Sequence, residues 1–114
     1  MRKYIHLIFI IVVYAGFAYG GNAGKISGRI TDETNGSPLA GANVMITHRW
    51  SGEQEIPLEE PLGAATDGDG HYFILNVDPG QYSVTASYIG YRPYRKTNIV
   101  VYVDKTVYLD IALA

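Results

Sequence analysis

Apolar and polar residues alternate along most of the sequence, and this period limits the folds available to the chain. In "QYSVTASY" (81–88) every second residue is apolar, with Tyr82, Val84, Ala86 and Tyr88 on one face. The same period recurs in "KISGRIT" (25–31) and "ANVMITH" (42–48). A period of two places successive side chains on opposite faces of a strand, whereas an amphipathic helix needs a period near 3.6. The pattern therefore predicts strands and no helical stripe.

Turn motifs separate the alternating segments. Asn35-Gly36 and the sequence "DPG" (78–80) supply residues that preset or tolerate turn dihedrals. With "AATD" (64–67), "HYFILNV" (71–77), "NIVVYV" (98–103) and "TVYLDIAL" (106–113), the count reaches about seven short strands. "HYFIL" is apolar on both faces, which favours a central strand with neighbours on both sides. In the last segment one face holds Val107, Leu109, Ile111 and Leu113. These features predict an all-β, seven-stranded antiparallel sandwich.

The first twenty residues differ in character from the rest. A basic start precedes an apolar run over residues 5–18 and a small-residue exit. This order is typical of a secretory signal peptide. An uncleaved membrane anchor is the alternative, but the run is shorter than the roughly 20 apolar residues that a spanning helix needs. We predict a signal peptide over residues 1–20, cut after Gly20 or alternatively after Ala23, and an exported domain over residues 21–114.

The composition excludes several classes of function. The chain has no cysteine, which removes a disulfide framework, a thiolate metal site and a lipid-anchored start. Its formal net charge is −2, and subtracting the two positive charges of Arg2 and Lys3 leaves −4. A mildly acidic domain argues against a nucleic-acid partner, which would require clustered Lys and Arg. An exported domain of this size therefore depends on its hydrophobic core.

The stretch "TDGDGHYFI" (66–74) could be a metal loop or a bend. Asp67 and Asp69 have the spacing of the first ligands in an EF-hand loop, but His71 takes the next ligand position and no glutamate follows nearby. A tight hairpin link explains the same residues, because glycine tolerates positive φ and aspartate accepts hydrogen bonds from turn amides. We predict a bend and no metal site.

Catalytic motifs are missing from the predicted domain. Beyond the leader the histidines are His48 and His71, and the sequence has no Gly-x-Ser-x-Gly elbow. Nucleophilic catalysis requires a nucleophile beside an oriented base, and a zinc site requires three or four ligands. We predict no catalytic, cofactor-binding or metal-binding residues, and therefore a protein that is not an enzyme.

Aromatic residues supply the candidate contact positions. Trp50 is the second residue of "RWSGEQEIPLEEPLG" (49–63), which we interpret as an irregular acidic loop. Loops on rigid sandwiches carry recognition, but Trp50 folded back onto the sheet edge explains the sequence equally well. In "SYIGYRPY" (87–94) we interpret Tyr88 as core and Tyr91 as cover for a sheet end, and the alternative is a patch that stacks a sugar or peptide. The predicted contact residues are Trp50, Tyr91 and Tyr94.

The glycines, prolines and tyrosines together resemble the carboxypeptidase regulatory-like domain over nearly all of residues 24–114. The positions that carry the resemblance are Gly28, Ile30, Gly36, Pro38-Leu39, Gly41-Ala42-Asn43-Val44, Thr66-Asp67, Asp69-Gly70, Tyr72, Asn76-Val77, Pro79-Gly80, Tyr82 and Gly90-Tyr91. The resemblance implies a prealbumin-like (transthyretin-like) Greek-key sandwich of the kind found at the N-terminus of TonB-dependent outer-membrane receptors. An insertion over residues 50–62 departs from that pattern.

The resemblance also implies a function. We expect a non-catalytic accessory module in the periplasm or at the outer membrane, acting in protein contact or spacing with an outer-membrane protein or the rest of a receptor chain. Whether the module stands alone or leads a longer product stays open. An edge strand, either "NIVVYV" or the first strand, would accept a partner strand. The alternative is a carbohydrate- or surface-binding module whose aromatic residues hold a polysaccharide.

Overall fold

The computed structural model describes residues 22–114, and the predicted signal peptide over residues 1–20 lies outside them. The described chain forms eight strands: β1 (Gly24–Asp32), β2 (Asn43–Ser51), β3 (Gln54–Ala65), β4 (His71–Val77), β5 (Gly80–Ser87), β6 (Tyr94–Val101), β7 (Thr106–Tyr108) and β8 (Ile111–Leu113). Over residues 22–114, no helix is long and apolar enough to cross a membrane.

Two sheets pack face to face. One has the order β4-β1-β7, with β8 also paired to β1, and the other has the order β3-β2-β5-β6. This arrangement confirms the predicted all-β sandwich. The prediction of purely antiparallel pairing is wrong for β1, which pairs in parallel with both β7 and β8. Alternation encodes the face of a strand and not its partner, so the crossover from β6 into the other sheet could not be read from it.

The core lies between the two sheets. Its buried members are Ile26, Ile30, Leu39, Ala42, Val44, Ile46, Tyr72, Ile74, Val77, Tyr82, Val84, Ala86, Ile99, Val101, Ile111 and Leu113. The predicted inward face of β5 is confirmed at Tyr82, Val84 and Ala86, and Tyr88 packs against the core while partly exposed. Burial, assisted by the charge of Asp110, raises the pKa of the Tyr72 hydroxyl, which therefore stays a donor.

The predicted irregular loop over residues 49–63 is a hairpin. It comprises the end of β2, a turn with Gly52 at φ 62°, and most of β3. Pro57 and Pro61 lie on β3, which pairs with β2 alone and is an edge strand. An edge strand tolerates proline because one row of its N–H groups has no ladder partner.

The predicted last strand is divided into two. Its residues Val107 and Leu109 are only half-buried, whereas Ile111 and Leu113 are buried. The Leu109 N–H donates to the Ser27 carbonyl at 2.7 Å, and the Asp110 carboxylate accepts the Arg29 N–H at 2.8 Å. At the two residues between β7 and β8, these bonds replace the regular ladder with β1. The described chain therefore has eight strands and not seven.

Strand β4 is an edge and not the central strand that its apolar sequence suggested. It pairs with β1 and with no other strand of the described chain. Its inward residues Tyr72 and Ile74 are buried, but the outward residues Phe73 and Leu75 are each 58% exposed. The prediction was wrong because it assumed that the apolar outer face of β4 is buried under another part of the same domain. Within residues 22–114 nothing buries Phe73 and Leu75.

Candidate functional site

The edge strands of the two sheets differ in how they resist pairing with other proteins. Edges are protected by prolines, charged residues, bulges or short length. Strand β3 carries Pro57 and Pro61 together with several glutamates. Strands β7 and β8, on the other side of β1, are three residues each. Both edges are therefore poor templates for an added strand.

Strand β6 is an edge with a different protection. The prediction that the "NIVVYV" segment lies at an edge agrees with its position beside β5 alone, whereas the other candidate, β1, is an interior strand. Arg95 and Lys96 place two cations on β6. Asn98 has a φ of 59° where the register with β5 shifts, so the strand is bulged there. Charge and a bulge together discourage strand addition.

Strand β4 lacks both proline and formally charged residues, since its sequence is "HYFILNV". The Ile30 N–H donates to the Gly70 carbonyl at 2.8 Å, so Ile30 and Gly70 form a hydrogen-bonded pair at the start of the β1–β4 ladder. Hydrogen-bonded and non-hydrogen-bonded pairs alternate in an antiparallel ladder. The main-chain N–H and C=O groups of Phe73 and Leu75 therefore point away from β1, towards the open edge.

The edge groups of His71 are already used. Its carbonyl accepts the Asp67 N–H at 2.8 Å, and its N–H donates to Asp67 Oδ1 at 3.0 Å. At the other end Asn76 has a φ of 57°, and the register with β1 shifts. The pairing groups that remain at this edge are thus confined to Phe73 and Leu75.

An apolar surface accompanies this edge. Ser27 of β1 lies between Phe73 of β4 and Tyr108 of β7 in the register of the sheet. Tyr108 is 79% exposed. We call Phe73, Leu75 and Tyr108 the β4 face. Its side chains flank the small Ser27, so the outer face of this sheet presents large apolar groups to solvent.

The two ends of β4 differ in charge. At the Leu75 end, Lys25, Lys105 and Asp104 line an open cleft of about 360 Å³, and Asp78 directly follows the strand. At the His71 end lie Asp67 and Asp69. The first end therefore holds two lysines offset by two carboxylates, and the second end is acidic.

Two further charged groups occupy the outer face near the acidic end. The Arg29 Nε donates to the Asp69 carbonyl at 3.0 Å. Arg29 and Asp110 also line a shallow cleft of about 270 Å³. Their charges offset each other, so the acidic end keeps its sign.

The Asp-Gly-Asp-Gly segment forms a bend, as predicted, but it connects two sheets and is not a hairpin. Asp67 Oδ1 accepts the main-chain N–H groups of Asp69 and His71 at 2.9 and 3.0 Å. Gly70 has a φ of 79°, and a Cβ there would crowd the Ile30 carbonyl. Across the part of the chain that the structure describes, no three His, Asp or Glu residues are grouped as metal ligands.

Trp50 is folded back onto its sheet. It lies near the end of β2, and its indole N–H donates to the Ser83 hydroxyl at 2.9 Å. Ser83 is fully buried although alternation places it on the outward face, because the indole lies over it. Nearby, Glu55 forms an ion pair with Arg95. Of the two alternatives that the sequence left open for Trp50, this geometry agrees with the folded-back one.

Tyr91 joins the β5–β6 loop, at the opposite end of β5, to the last residue of β1 in the other sheet. Its hydroxyl donates to Asp32 Oδ2 at 2.5 Å, and its ring lies 5.7 Å from that of Tyr88. This hydrogen bond, followed by partial burial, raises the pKa of Tyr91. The same bond, supported by the Thr34 N–H, lowers the pKa of Asp32.

The structure does not bring the three predicted contact residues together. Tyr94 begins β6 and lies opposite Ala86, at the same end of β5 as Tyr91. A cleft of about 320 Å³ at that end is lined by Gly41, Asn43, Ser87, Tyr88, Ile89, Tyr91 and Pro93. Trp50 lies at the other end of β5, beyond the Arg49–Tyr82 pair. The β4 face was not predicted, although the two apolar faces of "HYFIL" were the signal for it.

Comparisons with known proteins agree with this fold. The model of the carboxypeptidase regulatory-like domain family matches residues 25–114. A search of curated proteins finds no significant match. A C-terminal interface mutant of the type II Cohesin-X-Dockerin complex from Acetivibrio cellulolyticus contains a chain with a TM-score of 0.56 and 24% identity. The alignment covers 75% of this chain and 51% of that one, so this chain spans about half of its length.

Two pilins have the same fold. The full-length major pilin SpaD from Corynebacterium diphtheriae has a TM-score of 0.58 at 15% identity, and the alignment covers 80% of this chain and 30% of the pilin. GBS52, the minor pilin of Streptococcus agalactiae, has a TM-score of 0.52 at 18% identity, with coverages of 81% and 44%. At these identities the likeness is one of fold alone.

Proposed function

The chain belongs to the carboxypeptidase regulatory-like domain family, and from this premise we propose that it is a non-catalytic module that acts by protein contact through the open edge of β4. The proposed setting is the periplasm or the outer membrane after export. There the module would serve, or form part of, a TonB-dependent receptor. The observation that carries the proposal is that β4 is the edge without proline, charge or shortness to protect it.

Strand addition is the mode of contact that this edge favours. An incoming extended segment gains main-chain hydrogen bonds from the edge, and its alternate side chains contact the exposed face. The groups available for the first role are those of Phe73 and Leu75. The β4 face serves the second role, because its side chains are exposed and apolar.

The solved structures with this fold include a chain of a cohesin–dockerin complex and two pilins. Their likeness to this chain supports the sandwich fold on which the proposal is built.

Site-specific photo-cross-linking in producing cells tests the proposal. A photoreactive phenylalanine analogue replaces Phe73 on β4, and the matched control replaces Val100, an exposed apolar residue on the protected edge β6. We expect protein adducts from position 73 in the membrane fraction and few from position 100. Adducts that are absent, or equally frequent at both positions, would refute the contact role. Mass spectrometry of the adduct tests the receptor assignment separately, because a receptor polypeptide supports it, whereas adducts only to proteins other than a receptor and this chain itself contradict it.

A further inference from the structure

We propose that the strand added to β4 is β4 of a second copy of this chain, in an antiparallel pairing whose two-fold axis lies midway between the Ile74 residues of the two copies. This inference rests on the proposed contact function and names the partner at that surface. Two copies would join their β4-β1-β7 sheets into one continuous sheet across the axis. The interface is isologous, since the same patch contributes from both sides.

The main-chain groups at the edge favour this register. Pairing centred on Ile74 places Phe73 of one copy opposite Leu75 of the other, and the symmetry repeats the pair. Residues in a hydrogen-bonded antiparallel pair exchange both N–H···O bonds. The pairing therefore uses the groups of Phe73 and Leu75 that point to the open edge. A register centred on Phe73 would place His71 opposite Leu75, but the edge groups of His71 are already bonded to Asp67.

The side chains on the outer face also match. In the Ile74-centred register the exposed Phe73 ring lies beside the exposed Leu75 of the second copy, once on each side of the axis. An aromatic residue opposite an aliphatic one is a favourable cross-strand pair. Strand β4 has no formally charged residue, so no like charges meet within the pairing.

Individual charged groups at the ends of β4 can pair under the same symmetry. An antiparallel pairing brings the His71 end of one copy to the Leu75 end of the other. Asp67 and Asp69 then lie near Lys25 and Lys105 of the second copy, and the reciprocal contact forms at the opposite end. Asp104 and Asp78, beside the lysines, make this end neutral overall, so the contact is between individual groups. Pairs of this kind favour the antiparallel orientation more than they add affinity.

The length of the open edge sets the strength of the association. The bulge at Asn76 and the bonded groups of His71 leave a short segment for pairing. We therefore expect a reversible dimer whose population depends on protein concentration, and which weakens with added salt because its end contacts are exposed ion pairs.

Sedimentation velocity of the full chain over a wide concentration range tests the association. We expect the weight-average mass to rise towards that of a dimer, and Phe73→Lys to abolish the rise because it places a charge at the pairing edge. Val100→Lys makes the same change on the β6 edge and should leave the dimer intact. Circular dichroism checks that both variants keep their strand content. A monomer at all concentrations, or a dimer that survives Phe73→Lys, overturns the proposal.

Cysteine cross-linking tests the register independently of any destabilisation. The chain has no cysteine, so each introduced thiol is unique. An oxidised mixture of Phe73→Cys and Leu75→Cys chains should form mixed disulfide dimers several-fold faster than either variant alone, since position 73 faces position 75 across the axis. Equal rates for the mixture and the single variants overturn the register.

The outcomes separate this inference from the proposed function. A purified chain that stays monomeric, together with adducts from position 73 to a different protein in cells, overturns self-pairing and leaves the contact function in place. A monomeric chain with no adducts in cells removes both.

Discussion

Thr66 should be one of the most sensitive positions in the molecule, because a single side chain holds the link between the two sheets. Thr66 is 7% exposed and directly follows β3. Its hydroxyl accepts the Ala42 N–H at 2.9 Å and donates to the Leu39 carbonyl at 2.5 Å. Its main-chain groups bond to Ala42 and Gly41 as well. These hydrogen bonds therefore attach the β3–β4 link to residues 39–42, which precede β2.

Thr66→Val keeps the shape of the side chain and removes its hydroxyl. The Ala42 N–H and the Leu39 carbonyl, both in buried residues, then lose their partner. Each buried polar group left without a partner costs about 1–3 kcal/mol, and the added methyl group returns about 1 kcal/mol through burial. We expect a net loss of roughly 3 kcal/mol in the free energy of unfolding, which is a large part of the 5–15 kcal/mol typical of a domain.

Urea denaturation followed by circular dichroism measures this loss. For a domain of this size, roughly 3 kcal/mol corresponds to a fall in Tm of about 12–24 °C. The matched control is Thr66→Ser, which keeps both hydrogen bonds and loses a methyl group, at a cost of about 1 kcal/mol. If Thr66→Val were as stable as Thr66→Ser, the buried hydroxyl would not be fastening the link, and this reasoning would be refuted.

Three further predictions follow from contacts elsewhere in the chain. Trp50→Ala should lower the free energy of unfolding by about 2–3 kcal/mol, because Ser83 loses its cover. The variant should migrate like the wild type in polysaccharide affinity gels. If polysaccharide retarded the wild type and not the variant, the carbohydrate-binding alternative would be supported instead. Tyr91→Phe should raise the pKa of Asp32, measured by NMR titration, since the bond that lowers it is lost. The lowered pKa of Asp32 contributes stability that is present above its unfolded value and lost as the pH falls through its folded value, so wild type and variant should converge on acidification, and an unchanged pKa would contradict this account. Gly28→Ala should cost about 3 kcal/mol or more in denaturation, because its Cβ would collide with a main-chain carbonyl; wild-type stability would count against the packing described for β1.

The strands and the core were predictable because both follow from local alternation. In β5 the inward positions Tyr82, Val84 and Ala86 are buried as their period indicates. A strand covered on one face must alternate, whatever its partners are. This is why an all-β sandwich could be inferred before any pairing was known.

Pairing and strand boundaries were less predictable because they depend on distant residues. Strand β1 meets β7 and β8 in parallel, and nothing in its own sequence specifies that direction. Pro57 and Pro61 made β3 look like a loop, although an edge strand can hold both. Trp50 could not be placed from the sequence because its partner, Ser83, lies on another strand.

The error made at β4 is informative about function. A strand that is apolar on both faces was expected to be covered on both faces, because exposed apolar side chains are stabilised when they are removed from water. Within residues 22–114 the inner face meets the core, whereas Phe73 and Leu75 on the outer face meet no cover. The other edges carry prolines, cations, a bulge or short length, so this fold does contain the usual means of blocking an added strand. Strand β4 has only the bulge at Asn76, near its end, and it keeps exposed apolar side chains beside main-chain groups that β1 does not pair. Its sequence is therefore better explained by a strand that is completed by another protein than by one that faces water.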